Sequence, residues 1–164
     1  MHLWCPPLRD TWGLANCLLV AGPAPLLVDT PYDGPMSRAL IAAANRVLLP
    51  GCGIGTVVNT HANGDHSYGN VFFPDDEIIS TQFSLQHLCA EPTPQQMHHL
   101  SQDLSTGDPL GWYMDLHFSR FQYGATTTTP PTRTFTGTLQ LDAAGTQVEL
   151  IEVGPAHTAG DLIP

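Results

Sequence analysis

A chain of 164 residues has room for one ordinary domain and not for two. Its 15 acidic residues face only five cations, all Arg, for a formal net charge of −10. That field repels a phosphate backbone and an anionic membrane surface, which argues against nucleic-acid and membrane partners. The absence of Lys removes Schiff-base chemistry and P-loop phosphate binding. No apolar run approaches the ~20 residues of a membrane span, and the opening MHLWCPP lacks the pattern of a signal peptide. Gly and Pro, at 15 each, make the chain rich in turns. Cys5, Cys17, Cys52 and Cys89 show no Cys-x-x-Cys spacing, so they read as buried thiols of a reducing, cytoplasmic compartment.

The first predicted elements are two short apolar runs, residues 16–20 (NCLLV) and 25–29 (PLLVD), joined by an Ala-Gly-Pro-Ala turn as a β-hairpin. A helix follows. Asp33 caps it, Pro35 suits its first turn, and Met36, Leu40, Ile41, Val47 and Leu48 fall near a 3.6-residue period before the Pro-Gly stop at residues 50–51. Residues 55–60 (GTVVNT) are β-branched and read as a strand. A polar loop spans 61–70, and 77–80 (EIIS) is another strand. Residues 81–122 read as helix broken at Pro92, Pro94, Gly107 and Pro109, and 126–131 as an extended connector. Residues 138–142 and 147–153 flank Ala-Ala-Gly as a second hairpin. A loop covers 154–161, and a strand begins at 162. Strands and helices alternate, which implies layered α/β packing.

The informative stretch is Thr60-His61-Ala62-Asn63-Gly64-Asp65-His66, directly after a predicted strand. A loop with Gly64 for backbone freedom lets two imidazoles, a carboxylate and an amide converge on one point. Imidazole with carboxylate suits Zn²⁺ and related divalent ions. A second post-strand loop, residues 154–161 (GPAHTAGD), brings His157. His2, His87, His98, His99 and His117 read as structural or solvated. Trp12, Trp112 and Tyr113 read as core packing rather than pocket lining. No Gly-x-Ser-x-Gly elbow marks a serine hydrolase.

At these residues the sequence resembles the metallo-β-lactamase superfamily. The family's His-x-His-x-Asp-His signature is matched by His61, Asn63, Asp65 and His66. Its Gly-x-x-His-Thr-x-Gly-Asp loop is matched by Gly154, His157, Thr158, Gly160 and Asp161, and residues 26–30 (LLVDT) resemble its Leu-Val-Asp-Thr strand end. The resemblance implies an α/β fold, an αββα sandwich formed by one domain over residues 1–164 and incomplete at its C-terminus. It places one or two ions, Zn²⁺ with Fe or Mn as other options, in the site. His61, the residue at 63 and His157 would surround one ion, and Asp65 and His66 the other. Asp65 would either bind the second ion or orient the attacking water, the catalytic role. Asp29, Thr158 and Asp161 would support the ligands by hydrogen bonds. Asn63 stands where the family has His. It is either a weak ligand or a hydrogen-bonding neighbour of one.

The implied activity is hydrolysis of a small ester, thioester or lactam by metal-activated water. Two other readings stand beside it. One is an inactive truncated fragment, or a metal-binding half that needs a partner, because the family's further carboxylate and His lie beyond the equivalent of Pro164. About six wet apolar side chains on an uncovered sheet would then cost on the order of 10 kcal/mol and favour self-association. The other is an iron-binding oxidoreductase on the same fold.

Overall fold

The computed structural model describes residues 1–7, 12, 14–102, 107–143 and 145–164. Two sheets form. The larger has the order β1 (His2–Trp4), β2 (Cys17–Val20), β3 (Leu26–Val28), β4 (Thr56–Val58), β5 (Glu77–Thr81) and β6 (Arg133–Phe135). The pairs β1–β2 and β2–β3 are antiparallel, and β3 through β6 run parallel. The smaller sheet is the antiparallel set β7 (Thr138–Ala143), β8 (Thr146–Glu152) and β9 (Leu162–Ile163).

Strand alternation sorts the apolar side chains of the large sheet between two cores. Leu19, Leu27, Val57 and Ile78 face helix α1 (Gly34–Ala44), where Leu40 and Ala44 meet them together with Leu48. Val20, Leu26, Val28, Val58 and Ile79 face the small sheet and pack on Ala143, Leu150 and Leu162. Both faces of β3 and β4 are therefore covered, and side chains such as Leu27 and Val57 are wholly buried, each contributing about 1.5–3 kcal/mol. The chain thus has the expected α/β sandwich, with a helical layer over the large sheet. A third cluster, built on Tyr32, Tyr68, Met97, Met114, Phe121 and Tyr123, joins α1 to α4 (Pro94–Gln102) and α5 (Pro109–Phe118).

Asp33 caps α1 as expected, accepting from the Met36 amide at 2.9 Å. The helix stops at Ala44, however, and Val47 is exposed. Residues 45–48 continue only as turns. Strands β1 and β6 were not expected. Each is a three-residue edge strand, too short to show the alternation that marks a strand in sequence, and owes its form to pairing. His2 accordingly lies in β1. The polar loop over 61–70 is instead mostly helical: α2 (Gly64–Ser67) runs into a 3₁₀ turn over Tyr68–Phe72. The interrupted helix over 81–122 resolves into α3 (Gln82–Leu88), α4 and α5, with residues 103–106 outside the described set. The second hairpin is present, but Ala144 in its turn is likewise outside it.

Three packing expectations need correction, the first being that Cys5 and Cys89 are exposed rather than buried. Trp12, Trp112 and Tyr113 are exposed, and Trp12 lines a cavity rather than the core. The outward face of the small sheet is mostly polar, with Thr138, Gln140, Asp142, Gln147 and Glu149 alternating against the buried set. Its exposed apolar side chains are Ile151 and Ile163, with Val153 just beyond β8. That is half the number allowed for, because both strands of the β7–β8 hairpin place polar residues on that side. No helix described is long and apolar enough to cross a membrane.

Candidate functional site

The C-terminal ends of parallel strands β3 and β4 open onto the cavity that holds the candidate residues, a usual place for sites in α/β sheets. Asp29 follows β3 with a left-handed φ of 62°, a conformation that Asp tolerates better than most side chains. It is 4% exposed. Its Oδ1 accepts the Thr60 amide at 2.7 Å, and its Oδ2 accepts the Thr60 hydroxyl at 2.8 Å and stands 2.8 Å from His66 Nδ1. The Thr60 hydroxyl, having donated its proton to Asp29, offers a lone pair to His61 Nδ1 at 3.1 Å. Both rings are thereby assigned the tautomer that leaves Nε2 bare and directed away from these anchors.

The backbone around His66 is fixed by a buried polar network. Its carbonyl accepts from the Thr30 amide, the Thr30 hydroxyl and Asn59 Nδ2. Asn59 and Asn70 exchange side-chain bonds at 2.8 and 3.1 Å, and Thr30 donates to Asn70 Oδ1. Gly64 serves here for space rather than for freedom. Its φ is ordinary, but a Cβ would lie 2.5–2.7 Å from the stacked rings of Tyr68 and Tyr32.

The second loop arrives from the small sheet. Asp161 closes it by accepting the His157 amide and, at 2.9 and 3.0 Å, the Thr158 amide, while the Thr158 hydroxyl also donates to it. Burial raises the Asp161 carboxyl. The Thr158 hydroxyl and the Thr158 and His157 amides outweigh burial and hold it below the usual value. One bond ties this loop to the first, Leu162 N donating to Thr60 O at 2.9 Å, and another ties it to the end of β5, the Thr81 hydroxyl donating to Gly160 O at 2.7 Å.

The result is that residues 61 and 157, far apart in sequence, meet. The His61 ring lies 4.0 Å from that of His66 and 5.0 Å from that of His157, centroid to centroid. Asp65 Oδ2 is 3.6 Å from His66 Nε2. Burial, and then the neighbouring His66, pushes the His61 imidazole down to about 4, so its lone pair is available at neutral pH. Burial also opposes charge on His66, but the Asp29 bond and the Asp29, Asp65 and Asp161 charges prevail and hold it above its usual value.

The residues 10–164 match the sequence model of the metallo-beta-lactamase superfamily. The chain belongs to that superfamily. Solved structures carry the same fold at low identity. A metallo-beta-lactamase from Pontibacter korlensis is 15% identical with a TM-score of 0.62, over 98% of this chain and 60% of that one. A subclass B3 metallo-beta-lactamase from a soil metagenome library is 16% identical with a TM-score of 0.58, over 98% of this chain and 52% of the other. A stereoselective inverting sec-alkylsulfatase from Pseudomonas sp. is 16% identical with a TM-score of 0.58, over 90% of this chain and 26% of its own length. No curated protein matches the sequence. The chain spans 60% or less of the length of these structures.

Superfamily members generally bind metal ions, usually zinc. Among the described residues no three His, Cys, Asp or Glu side chains close into a ready-made ion cluster. The donor chemistry nonetheless fits a divalent ion. Three imidazoles and the Asp65 carboxylate line one cavity, and the Asn63 side-chain oxygen is buried there with no hydrogen-bond partner, an orphan acceptor that a cation would satisfy. Sequence reasoning missed Thr60, Thr30, Asn59 and Asn70, whose roles depend on strand register. It also missed Tyr32, Tyr68, Met97 and Phe118, which line the cavity. The LLVDT-to-THANGDH pairing was the one available signal for Thr60.

Proposed function

We propose that this chain is a metal-dependent hydrolase acting on a small ester, thioester or lactam. The observation that supports it is the meeting of the His61, His66 and His157 rings at 4.0 and 5.0 Å from two separate loops. His61, Asn63 and His157 would hold one divalent ion, and Asp65 and His66 a second. An ion held there would supply a Lewis acid for the target carbonyl and a water with its pKa lowered to about 7. The chain's own residues do the rest. Asp29 and Thr60 keep Nε2 of His61 and His66 turned to the cavity, Asp161 and Thr158 hold the loop of His157, and Asp65 orients the attacking water or shares in ion binding.

Metal stoichiometry on the purified chain, by mass spectrometry, tests this reading. Zinc at one or two equivalents, lost in a His61→Ala/His157→Ala variant, supports it. Iron in place of zinc turns the assignment to redox chemistry, and no metal under any loading condition overturns it. A reading as a metal-binding half completed by a partner draws support from the donor count at the second position, which has only Asp65 and His66. Loading at one equivalent without turnover would favour it.

A further inference from the structure

The cavity in front of the imidazoles, about 370 Å³ in volume, has a second wall that the candidate ligands do not occupy. Trp12, Tyr32, Tyr68, Met97 and Phe118 form it, with Glu91 at its side. Tyr32 stacks on Tyr68 at 5.1 Å and meets Phe118 edge-on at 6.2 Å, so this surface is built before any ligand arrives. Trp12 is 63% exposed there, a large apolar face left wet. The chain has no Lys, and no Arg lines the cavity among the described residues. Arg38 lies over Phe72 and Arg133 pairs with Glu77, both elsewhere. Away from the imidazoles and Asp65, the one charged group on the wall among the described residues is Glu91, which lies 3.0 Å from His87.

We propose that this wall, with Trp12 and Glu91 as specificity determinants, selects substrates whose non-reacting part is apolar or aromatic and carries no negative charge. The inference rests on the hydrolase reading of the site and adds the substrate class. An apolar group covers Trp12 and Phe118. A cationic group gains further from the aromatic faces and the Glu91 carboxylate. A carboxylate, sulfate or phosphate at that end meets ring faces and an anion, and among the described residues no cationic side chain lines the cavity to offset its lost hydration. An anion at the reacting end could be drawn to bound metal, so the discriminating charge must sit at the far end.

The test uses the whole chain and unreactive N-methylamides of phenylacetic acid bearing para tert-butyl, trimethylammonium or carboxylate groups, the first two nearly isosteric. Binding is followed by ligand-detected NMR, with chelator present and again with zinc. The tert-butyl and trimethylammonium amides should bind at least about tenfold more tightly than the carboxylate. Trp12→Ala, on an exposed side chain whose loss spares the core, should weaken both by a similar factor. Glu91→Gln should remove the advantage of the cation over its isostere and leave the tert-butyl amide unchanged. Equal binding of the carboxylate, no effect of Trp12→Ala, or no binding of the tert-butyl amide at millimolar concentration would each overturn the proposal. The expected pattern in chelator, from a chain that takes up no metal, supports the assigned wall and sinks the hydrolase reading. Hydrolysis of a para-carboxylate ester as fast as its tert-butyl analogue does the reverse.

Discussion

Asp29→Asn isolates the chemistry of the buried carboxylate from everything else at its position. Asn tolerates the left-handed φ of 62° as well as Asp does, so the backbone is not newly strained. The amide oxygen can still accept from Thr60, which donates at 2.7 and 2.8 Å. What it cannot do is present two acceptor oxygens. Either the NH₂ confronts the proton on His66 Nδ1, or one Thr60 donor is left unpaired in a site where residue 29 is 4% exposed. A charge-assisted bond of this kind is worth about 1.5–3 kcal/mol, and an unsatisfied buried donor costs about 1–3 kcal/mol. The variant should therefore lose about 2–3 kcal/mol of stability in the metal-free chain, measured by urea denaturation with an unchanged m-value. A double-mutant cycle with His66→Ala should return a coupling of at least about 1 kcal/mol. Metal affinity, by competition with a chromophoric chelator, should fall about 10–100-fold as His66 loses its tautomer and orientation. A variant within about 0.5 kcal/mol of the parent, with unaltered metal affinity, would refute the claim that Asp29 orients this site.

Gly64→Ala should cost about 1–3 kcal/mol, because the new methyl would lie 2.5–2.7 Å from the Tyr68 and Tyr32 rings. Gly53→Ala, with nothing within 4 Å of its Cβ, should stay within about 0.5 kcal/mol in the same denaturation series. Burial raises the Glu91 carboxyl although its bond to His87 partly offsets this. The folded state then holds its proton more tightly than the unfolded one, so ionisation withdraws stability as pH rises through the carboxylate range. Glu91→Gln should be the more stable form at pH 7, with the difference vanishing once both states of the parent are protonated. A stability difference that grows on acidification would contradict this sign. Cys5 and Cys89 are exposed, while Cys17 is wholly buried, and burial pushes its thiol up. Thiol titration should find Cys5 and Cys89 reactive in the native chain and Cys17 only after denaturant is added.

What could be read from the sequence was local or periodic. The β2–β3 hairpin, the Asp33 cap, α1, β4, β5 and the β7–β8 hairpin each carry their signal within a few residues. The two His-bearing loops were legible because each packs its donors next to a strand end. The edge strands β1 and β6 were not legible. A three-residue segment such as Arg133–Phe135 becomes a strand only when β5 offers its bonds. The polar network was hidden for a related reason. Asn59, Asn70, Thr30 and Thr60 are common loop residues, and only the parallel register of β3 on β4, Val28 opposite Val58, brings the Asp29 carboxylate within reach of Thr60. Gly64 was read for freedom because sequence shows a glycine but not the two tyrosine rings closing over it.

That register also accounts for where the site sits. Val28 and Val58 are buried on the side shared with Leu150 and Leu162 of the second sheet, so the sandwich core fixes the height at which β3 and β4 end. One residue further, the chain must turn, and the groups it brings together there are Asp29 and the 59–61 segment. Leu162, whose side chain belongs to the same core, donates its amide to Thr60 and draws β9 in, and with it the loop of His157. The convergence of the imidazoles thus follows from apolar packing several ångströms below them. Substitutions that shift this packing, Leu162→Ala foremost, should separate His157 from His61 while leaving every candidate ligand chemically intact. Such a variant would lose about 2–5 kcal/mol of stability from the core and metal affinity besides, whereas Ile163→Ala, on the exposed side of the same strand, should alter neither.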